Sequence, residues 1–521
     1  MRRAVKNIKL YLVCLVVAVL FAGIYSTTTT PLLEGHWGSD SAFFILVGQG
    51  MTKGLLPYRD FFDMKGPYLF FIEYLGQLIC YGRTGAFIIQ CINLSICFYI
   101  VGKTSDLFAK RLYWLHRLIA AIPVFLVAVF TYEGGNLTEE YCLPWILLSL
   151  YFCLKYFKDS EAKKDFKHPI WVSFYNGFAV GVICFIRITN AATVGAVLLA
   201  VFFLLLRKKE IKNALINLAM VLAGFAASCA IPCIFFYAKN MLGEMLEQVF
   251  VFGFSYSSEV GFAEKIANTF TEFRFFLLLL LLPVIICFIY HEKWYMKLLS
   301  ISSALLLFVA VTMGNAHYHY MTLFVPHVAL AVFIAYKKGG TILKVRKNII
   351  CIICFAIIFA LNAVWICKSA VKGFFTVYSY AVSKDDDGSL DGFTDKLESI
   401  PAASDYIYTG EENNEALEIV SYIPESDRDS VFCYGNEYWS WWYGVTETIP
   451  DYKYMDWQYH YMDLIPGLDD EMAEWITQEG SVYIVTLNGD EVVSEEVTEA
   501  IEVNYTEVFA NEDYTLYRRN S

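Results

Sequence analysis

The sequence predicts a polytopic α-helical membrane protein of about 11 transmembrane helices, followed by a C-terminal α/β domain outside the membrane. Hydrophobic residues make up 57% of the 521-residue chain, and the mean hydropathy is +0.47, values typical of multi-pass membrane proteins. Residues 1–374 hold 34 Lys and Arg against 19 Asp and Glu, whereas residues 375–521 hold 6 against 33. The net charge of −12 therefore averages a basic, apolar body and a strongly acidic soluble part.

Apolar runs long enough to cross a bilayer, which takes about 20 residues, define the predicted helices of the body. They are 8–26, 84–102, 118–133, 141–157, 170–187, 189–206, 213–237, 272–290, 297–313, 320–336 and 348–367. The run 66–82 is ambiguous, because it is short and contains Glu73 and Gln77. No A-x-A cleavage site follows the first run, which therefore predicts an uncleaved anchor rather than a signal peptide.

The distribution of basic residues decides whether 66–82 is a span, because Lys and Arg concentrate in cytoplasmic loops. If 66–82 crosses the membrane, the strongly basic connector 103–117 falls outside. If it lies in the interface as an amphipathic helix, every basic segment falls inside. These segments are the N-terminus, 103–117, 158–168, 207–212, 291–297 and 337–347. The sequence thus predicts a cell-membrane protein with a cytoplasmic N-terminus and an extracytoplasmic C-terminal domain.

Two domains are expected: a transmembrane domain of residues 1–370, with its first outer loop at 27–83, and an acidic domain of residues 371–521. Patterns in the acidic domain predict strands at 430–435, 481–487 and 514–519 and a helix at 469–478. The negative charge of this domain argues against nucleic acid as a partner, since phosphate would be repelled. Cys433 is its only cysteine, so it cannot contain an internal disulfide.

The acidic domain also contains an unusual aromatic run, NEYWSWWYG at 436–444, with Trp439, Trp441 and Trp442. Trp and Tyr concentrate at membrane interfaces, which favours packing onto the bilayer surface. A stacking surface for sugars is the functional alternative, and the sequence leaves both open.

The first outer loop carries a dense group of charged residues between apolar segments. Residues 36–71 contain three carboxylates and two cations: Asp40, Asp60, Asp63, Arg59 and Lys65. Ionisable groups beside hydrocarbon are costly, so this cluster is a hypothesis for a functional site. Simpler interpretations also stand, namely an Asp63–Lys65 ion pair and Asp60 as the cap of the interfacial helix.

Further polar segments fall on the same predicted outer face. They are 133–140, the turn 187–190, the loop 238–271 and GNAHYH at 314–319. Lys65 and Arg187 could bind a phosphate, although the long Arg187 side chain could equally reach the membrane surface. No Walker or Gly-rich nucleotide loop occurs in the sequence, so an outer site cannot depend on cytosolic nucleotides. A lipid-linked sugar phosphate fits, because its phosphate leaves without protonation and asks only for a base and nearby cations.

The outer-loop motifs resemble those of GT-C membrane glycosyltransferases, most closely the superfamily of protein O-mannosyltransferases and lipid A aminoarabinose transferases with its bacterial relatives. The similar motifs are GSDSAFF around Asp40 and PYRDFFDMKGP at 57–67. The resemblance covers residues 8–367 in architecture and about 60 residues in specific motifs. It implies that Asp40 is the catalytic base and that Lys65 contacts the carrier phosphate, although this chain has Lys-Gly-Pro where relatives often have Lys-Pro-Pro.

Two later segments are also similar to the family. An acidic residue at the start of a span is matched by Glu139 or Glu140, and the late segment around the donor site is matched by His317 and His319. The two histidines could instead be an interfacial pair without chemistry, since a metal site would need further ligands. The full set of expected substrate-binding residues is Arg59, Asp60, Asp63, Glu139, Glu140, His317 and His319.

Together these features predict an inverting hexosyl- or pentosyltransferase that moves a sugar from a polyprenyl-phosphate donor to a glycan, lipid or protein acceptor of the cell envelope. No cofactor and no metal ligand is predicted, and a divalent-metal requirement stays open. A polysaccharide polymerase or ligase is the main alternative, although a large outer loop late in the chain would then be expected. A secondary transporter is a weaker one, because inverted repeats and charges in the middle of spans are not evident.

Overall fold

The structure is a computed structural model that describes residues 2–33, 37–108, 129, 131–258, 260–314, 317–338, 411–489 and 493–520, with isolated helical residues between 353 and 374. The predicted spans 118–133 and 348–367 lie largely outside the described residues. So do most of the predicted connectors 103–117 and 337–347.

All the regular elements in the described part of the body are helices. The long ones are α1 (Arg2–Tyr25), α4 (Arg83–Phe108), α5 (Thr138–Lys163), α6 (Ile170–Cys184), α7 (Ala192–Arg207), α8 (Ile211–Ala238), α11 (Phe262–Leu277), α13 (Trp294–Met313) and α14 (Phe324–Lys338). Shorter helices between them are α2 (Asp40–Thr52), α3 (Pro67–Ile79), α9 (Leu242–Leu246), α10 (Gly253–Ser258) and α12 (Leu282–Ile289). A π-helical turn, Glu247–Phe252, joins α9 to α10, and single 3₁₀ turns precede α7, α12 and α14.

Seven helical segments of the described chain are long and apolar enough to cross a membrane. They are Asn7–Tyr25, Arg83–Phe108, Ile188–Arg207, Ile211–Ala238, Phe262–Ile289, Trp294–Met313 and Tyr318–Ala335. Each corresponds to a predicted span, and the predicted spans 141–157 and 170–187 form α5 and the shorter apolar helix α6. The prediction of a multi-pass helical membrane protein is therefore confirmed.

Small residues let two of these helices approach closely, as is common where helices pack inside a membrane. A Cβ added to Gly177 of α6 would lie 1.9 Å from the carbonyl oxygen of Val221 in α8. A Cβ added to Gly224 of α8 would lie 2.0 Å from the carbonyl oxygen of Phe174 in α6. Any larger side chain at either position would force these two helices apart.

The first outer loop is itself largely helical, which the sequence analysis did not predict beyond the interfacial segment. Its helix α2 begins at Asp40 and buries every residue from 41 to 50. Helix α3 buries Glu73 and Gln77 on one face and exposes apolar side chains such as Leu78 on the other. At 13 residues α3 is too short to cross a bilayer alone, which agrees with an interfacial helix.

The C-terminal domain contains a four-stranded sheet in the order β1-β2-β4-β3. The strands are β1 (Val431–Tyr434), β2 (Tyr483–Leu487), β3 (Tyr505–Ala510) and β4 (Tyr514–Arg519), with β1 parallel to β2 and the other pairs antiparallel. The surrounding helices are α15 (Glu411–Ser421), α16 (Ser440–Thr446), α17 (Gln458–Leu464), α18 (Leu468–Gln478) and α19 (Glu495–Asn504). The predicted α/β class, three predicted strands and the helix at 469–478 are confirmed, whereas β3 was not predicted.

The three tryptophans of the aromatic run lie inside the protein. Trp439, Trp441 and Trp442 are all buried, so they cannot lie at a membrane interface or offer a surface to sugars. Helix α16, which carries two of them, packs against α2 of the membrane body. Trp37 also approaches this helix, since a Cβ on Gly444 would lie 2.5 Å from its ring. These tryptophans therefore belong to the core of the junction between the two domains.

Candidate active site

A cavity of about 590 Å³ lies where the first outer loop, the helix connections of the body and the C-terminal domain meet. Its charged lining combines acids with cations: Asp40, Asp63, Lys65, Glu133, Arg187, His317, His319 and Asp456. Apolar side chains complete the wall, for example Ile188, Val249 and Phe254. The sequence places these residues more than 400 positions apart at the extremes, and the fold brings them to one chamber.

Asp40 lies in the first turn of α2 and lines the cavity. Within the described residues, its carboxylate makes no ion pair and accepts no side-chain hydrogen bond. Burial alone would raise the pKa of Asp40, but the charges of Lys65 and other nearby basic side chains outweigh it and lower the pKa below its ordinary value. An ionised carboxylate without a proton donor of its own is suited to accept a proton from a bound hydroxyl.

Asp63 holds Lys65 in place. Its Oδ1 accepts hydrogen bonds from the backbone N–H groups of Met64 and Lys65, at 2.6 and 3.2 Å, and lies 3.6 Å from Lys65 Nζ. The Lys65 ammonium also lies 5.8 Å from the ring centroid of Phe44. The Asp63–Lys65 ion pair considered in the sequence analysis is thus present. Burial alone would lower the pKa of Lys65, but the negative charges of Asp40 and Asp63 outweigh it and raise the pKa. Lys65 therefore remains a cation in the cavity.

The side chain of Arg187 lies inside the protein rather than extending to the membrane surface. Its guanidinium carbon is 3.8 Å from the ring centroid of Tyr320, and its Nη1 is 3.5 Å from Oε1 of the buried Glu139. A guanidinium has five N–H donors in a planar fork, so one acidic partner leaves donors available toward the cavity. Glu139 does not line the cavity; it orients Arg187, which does.

The two histidines lie side by side, with ring centroids 5.5 Å apart, and both line the cavity. Nδ1 of His319 is hydrogen-bonded to Oε2 of Glu133 at 2.5 Å. Burial and the neighbouring His319 lower the pKa of His317, which favours its neutral form. Within the described residues, no group of three or more His, Cys, Asp or Glu side chains could hold a metal ion. No metal ligand role is therefore assigned to either histidine.

Besides Glu139, three expected site residues do not line the cavity. Arg59 and Asp60 pair with each other at 2.9 Å, and Asp60 accepts a hydrogen bond from the Leu56 N–H at 2.7 Å. Asp60 thus stabilises its own turn and does not cap α3, which begins after Gly66. Glu140 is buried and accepts a hydrogen bond from Gln90 at 2.9 Å.

The C-terminal domain supplies a part of the cavity wall that contains none of the predicted site residues. Tyr438, Asp456, Trp457 and Tyr461 all line the chamber. Asp456 is buried, and its Oδ1 accepts a hydrogen bond from the Ser440 N–H at 2.8 Å. Burial raises the pKa of Asp456 to about 7, with a smaller contribution from the negative charge of Asp63. The sequence gives a weak signal for this wall, the aromatic-rich stretch YKYMDWQYHY at 452–461.

Comparison with solved structures identifies the fold. The crystal structure of ArnT from Cupriavidus metallidurans bound to undecaprenyl phosphate aligns with a TM-score of 0.57 and 11% identity over 97% of each chain. The same protein in the apo state aligns with a TM-score of 0.54 and 12% identity over 96% of this chain and 97% of that chain. The archaeal oligosaccharyltransferase AglB from Archaeoglobus fulgidus aligns with a TM-score of 0.44 and 14% identity over 95% of this chain and 72% of that chain.

The chain therefore has the GT-C fold, shared with the aminoarabinose transferase ArnT, as the outer-loop motifs predicted. No protein-family model matches the sequence, and neither does any curated protein. The fold is therefore established by structural similarity alone.

Proposed function

We propose that the protein is an inverting membrane glycosyltransferase that uses a polyprenyl-phosphate sugar and Asp40 as general base. One observation carries the proposal: the ionised carboxylate of Asp40, which accepts no hydrogen bond from the residues that the structure describes, shares a cavity with two cations, Lys65 and Arg187. A displacement at a sugar carbon bonded to phosphate needs these groups, a base for the incoming hydroxyl and positive charge for the departing phosphate.

The proposed reaction is a single displacement at C1 of the donor sugar. The Asp40 carboxylate accepts the proton of the acceptor hydroxyl as its oxygen forms a bond to C1 of the donor sugar. The bond from C1 to the phosphate oxygen breaks, and its electron pair leaves with the phosphate. Lys65 and Arg187 stabilise the polyprenyl phosphate dianion that results. One displacement inverts the configuration at C1.

The apolar wall of the cavity supports a lipid-linked donor. Ile186 and Ile188 at the end of α6, together with Val249, Phe250 and Phe254 around the π-helical turn, line the same chamber as the cations. A polyprenyl chain would bury apolar surface against these side chains while its phosphate lies at the polar end. The GT-C neighbour with undecaprenyl phosphate bound is consistent with this class of donor.

The acceptor is proposed to be extracytoplasmic and to belong to the cell envelope, as a glycan, a lipid or a protein. The basic cytoplasmic connectors predicted from the sequence support an outward-facing cavity. The transferred sugar is proposed to be a hexose or a pentose, and the reaction is proposed to need no cofactor. A dependence on divalent metal is to be measured rather than assumed.

The test uses the purified protein reconstituted into membranes. Sugar transfer to an acceptor is measured with a panel of polyprenyl-phosphate hexoses and pentoses as donors, with and without EDTA. Asp40→Asn keeps the shape of the side chain and removes the base, so transfer should fall by about 10²–10⁴-fold. Asp470→Asn, at an exposed carboxylate in α18, is the control and should retain full activity. Near-normal transfer by Asp40→Asn would refute the assignment of the base.

Product analysis separates the alternatives. A single added sugar per acceptor supports the proposed transferase, and growth of long chains or transfer of a preassembled glycan would support a polymerase or ligase. Passage of labelled sugar across the liposome membrane without formation of a glycosidic bond would indicate a transporter instead.

A further inference from the structure

The C-terminal domain contributes a distinct aromatic wall to the cavity. Trp457 and Tyr438 stack with ring centroids 5.4 Å apart and planes 29° apart, and both line the chamber. The ring of His460, three residues further along the chain, has its centroid 4.3 Å from that of Trp457. Unlike the buried tryptophans of α16, Trp457 keeps part of its surface exposed to the cavity.

The backbone at Trp457 is held in an unfavourable conformation. Its φ of 52° and ψ of 38° lie in the left-handed region, where a bulky side chain is uncommon. Flanking hydrogen bonds hold it there: the Trp457 N–H donates to Glu437 O at 3.2 Å, and the Tyr461 N–H donates to Trp457 O at 3.1 Å. Strained conformations of this kind persist where the structure fixes them, and they are concentrated at ligand sites.

Asp456, the residue before Trp457, adds a polar group to the same wall. Its two carboxylate oxygens accept hydrogen bonds from the backbone and the hydroxyl group of Ser440. A carboxylate has about four acceptor positions, so Asp456 can accept further hydrogen bonds from a ligand. A sugar ring has hydroxyl groups at its edge and an apolar C–H face. A carboxylate can bind the hydroxyl groups, and an aromatic ring beside it can pack on the C–H face.

We propose that Trp457, Tyr438 and Asp456 form a binding subsite for the sugar ring of a carbohydrate acceptor. The inference rests on the proposed function and narrows its acceptor to a glycan or a glycolipid. Trp457 and Tyr438 contact the C–H face of the ring, and Asp456 accepts hydrogen bonds from its hydroxyl groups. Trp457 is a binding residue and takes no part in proton transfer.

The position of the wall favours the acceptor over the donor sugar. The cations that bind phosphate, Lys65 and Arg187, belong to the membrane body, so the donor phosphate lies on that side. Tyr438 belongs to the C-terminal domain, and after burial the charge of Asp40 contributes most to raising its pKa. The aromatic wall and the base line the same chamber. In an inverting displacement the base contacts the acceptor hydroxyl, which approaches from the side opposite the phosphate.

The test compares Trp457→Ala and Trp457→Phe in the full-length reconstituted protein, with Tyr459→Ala as a matched control. Tyr459 follows Trp457 by two residues, in the first turn of α17; it is 52% exposed and does not line the cavity. Three quantities are measured: the acceptor KM, the donor KM and the rate of donor hydrolysis without acceptor. Binding that needs no turnover is followed by saturation-transfer NMR with the methyl glycosides of glucose, galactose and N-acetylglucosamine.

We expect Trp457→Ala to raise the acceptor KM by about tenfold or more, the size typical of removing an aromatic anchor. The donor KM and donor hydrolysis should stay within about twofold, and saturation transfer to the preferred glycoside should disappear. Trp457→Phe should restore part of both effects, because it retains an aromatic face, and Tyr459→Ala should change neither. If Trp457→Ala does not fold, Trp457→Phe and Asp456→Asn carry the comparison.

The outcomes separate the two proposals. A rise in the donor KM alone would place the donor sugar on this wall and overturn the inference. Active transfer with no effect of any Trp457 variant would overturn the subsite and leave the proposed function intact. Glycoside binding that depends on Trp457 in a protein that transfers no sugar would support the subsite and overturn the proposed function.

Discussion

Arg187 provides the sharpest test of how the cavity holds a phosphate. Its guanidinium stacks on Tyr320 and pairs with Glu139, whose side chain is only 1% exposed. Arg187→Gln removes a charge-assisted contact worth about 1.5–3 kcal/mol, which corresponds to a donor affinity lower by about 10- to 150-fold. The same change leaves the buried Glu139 carboxylate without its cation, which destabilises the fold for a separate reason.

The double variant Arg187→Gln/Glu139→Gln separates the two effects, because it removes both charges together. We expect the double variant to recover thermal stability relative to Arg187→Gln while its donor KM stays high and its acceptor KM is unchanged. The measurement is the donor KM together with the inhibition constant of free polyprenyl phosphate. Arg207→Gln is a matched control. Arg187 precedes α7, whereas Arg207 is the last residue of α7 and stacks on Trp294. An unchanged donor KM in the double variant would refute phosphate binding by Arg187.

Two further predictions concern topology and protonation. With the exposed Cys367 replaced by serine, an impermeant thiol reagent added from outside should label a cysteine placed at Asp470 and not one placed at Lys164; the reverse pattern would place the cavity in the cytosol. Burial raises the pKa of Asp456 to about 7. Between about pH 4 and 7 this carboxyl is therefore protonated in the folded state and ionised in the unfolded state. The free energy of unfolding consequently falls as the pH rises through that window. The melting temperature of Asp456→Asn should therefore rise relative to the parent protein between pH 5.5 and 8.5, and a constant difference would contradict the ionisation.

The sequence predicted the helices of the membrane body well, because long apolar runs are local signals. A short helix around Glu73 was also predicted and is present, since its length and its polar residues can be read directly. Helix α2 was not predicted, although its buried AFFILV segment is apolar. A short buried helix beside a charged loop has no period or length that separates it from an extended segment.

The site was predictable where its residues lie on one segment and not where the fold assembles them. Asp40, Asp63 and Lys65 were found together because they share the first outer loop. Nothing local connects that loop with Asp456 and Trp457, which reach the cavity only through docking of the C-terminal domain. The tryptophans at 439–442 attracted attention by composition, yet they are buried in the junction, because composition does not distinguish a core aromatic residue from a ligand-binding one.

Phe62, an aromatic residue of the first outer loop, is buried among rings of both domains. Its centroid lies 4.7 Å from Tyr454, 5.1 Å from Tyr461 and 4.9 Å from Phe252. The Phe62 N–H also donates a hydrogen bond to Lys453 O at 3.0 Å. Because Tyr461 lines the cavity, this contact connects the position of the C-terminal wall to the loop that carries Lys65.

Phe62→Ala should loosen that wall without unfolding either domain. Loss of a buried Phe side chain costs about 3–5 kcal/mol, here mainly in the coupling between domains. We expect faster amide hydrogen exchange at 452–461, unchanged exchange in β2 and β4, and transfer to the acceptor reduced more than hydrolysis of the donor. Phe71→Ala, at a half-exposed position in α3 of the same loop, is the control. Unchanged exchange at 452–461 would mean that α16 and its contacts with α2 hold the domain alone, so that the wall does not depend on the Lys65 loop. In that case the acceptor and phosphate sides of the cavity would be positioned independently, and variants on the two sides should be additive in their effects on transfer.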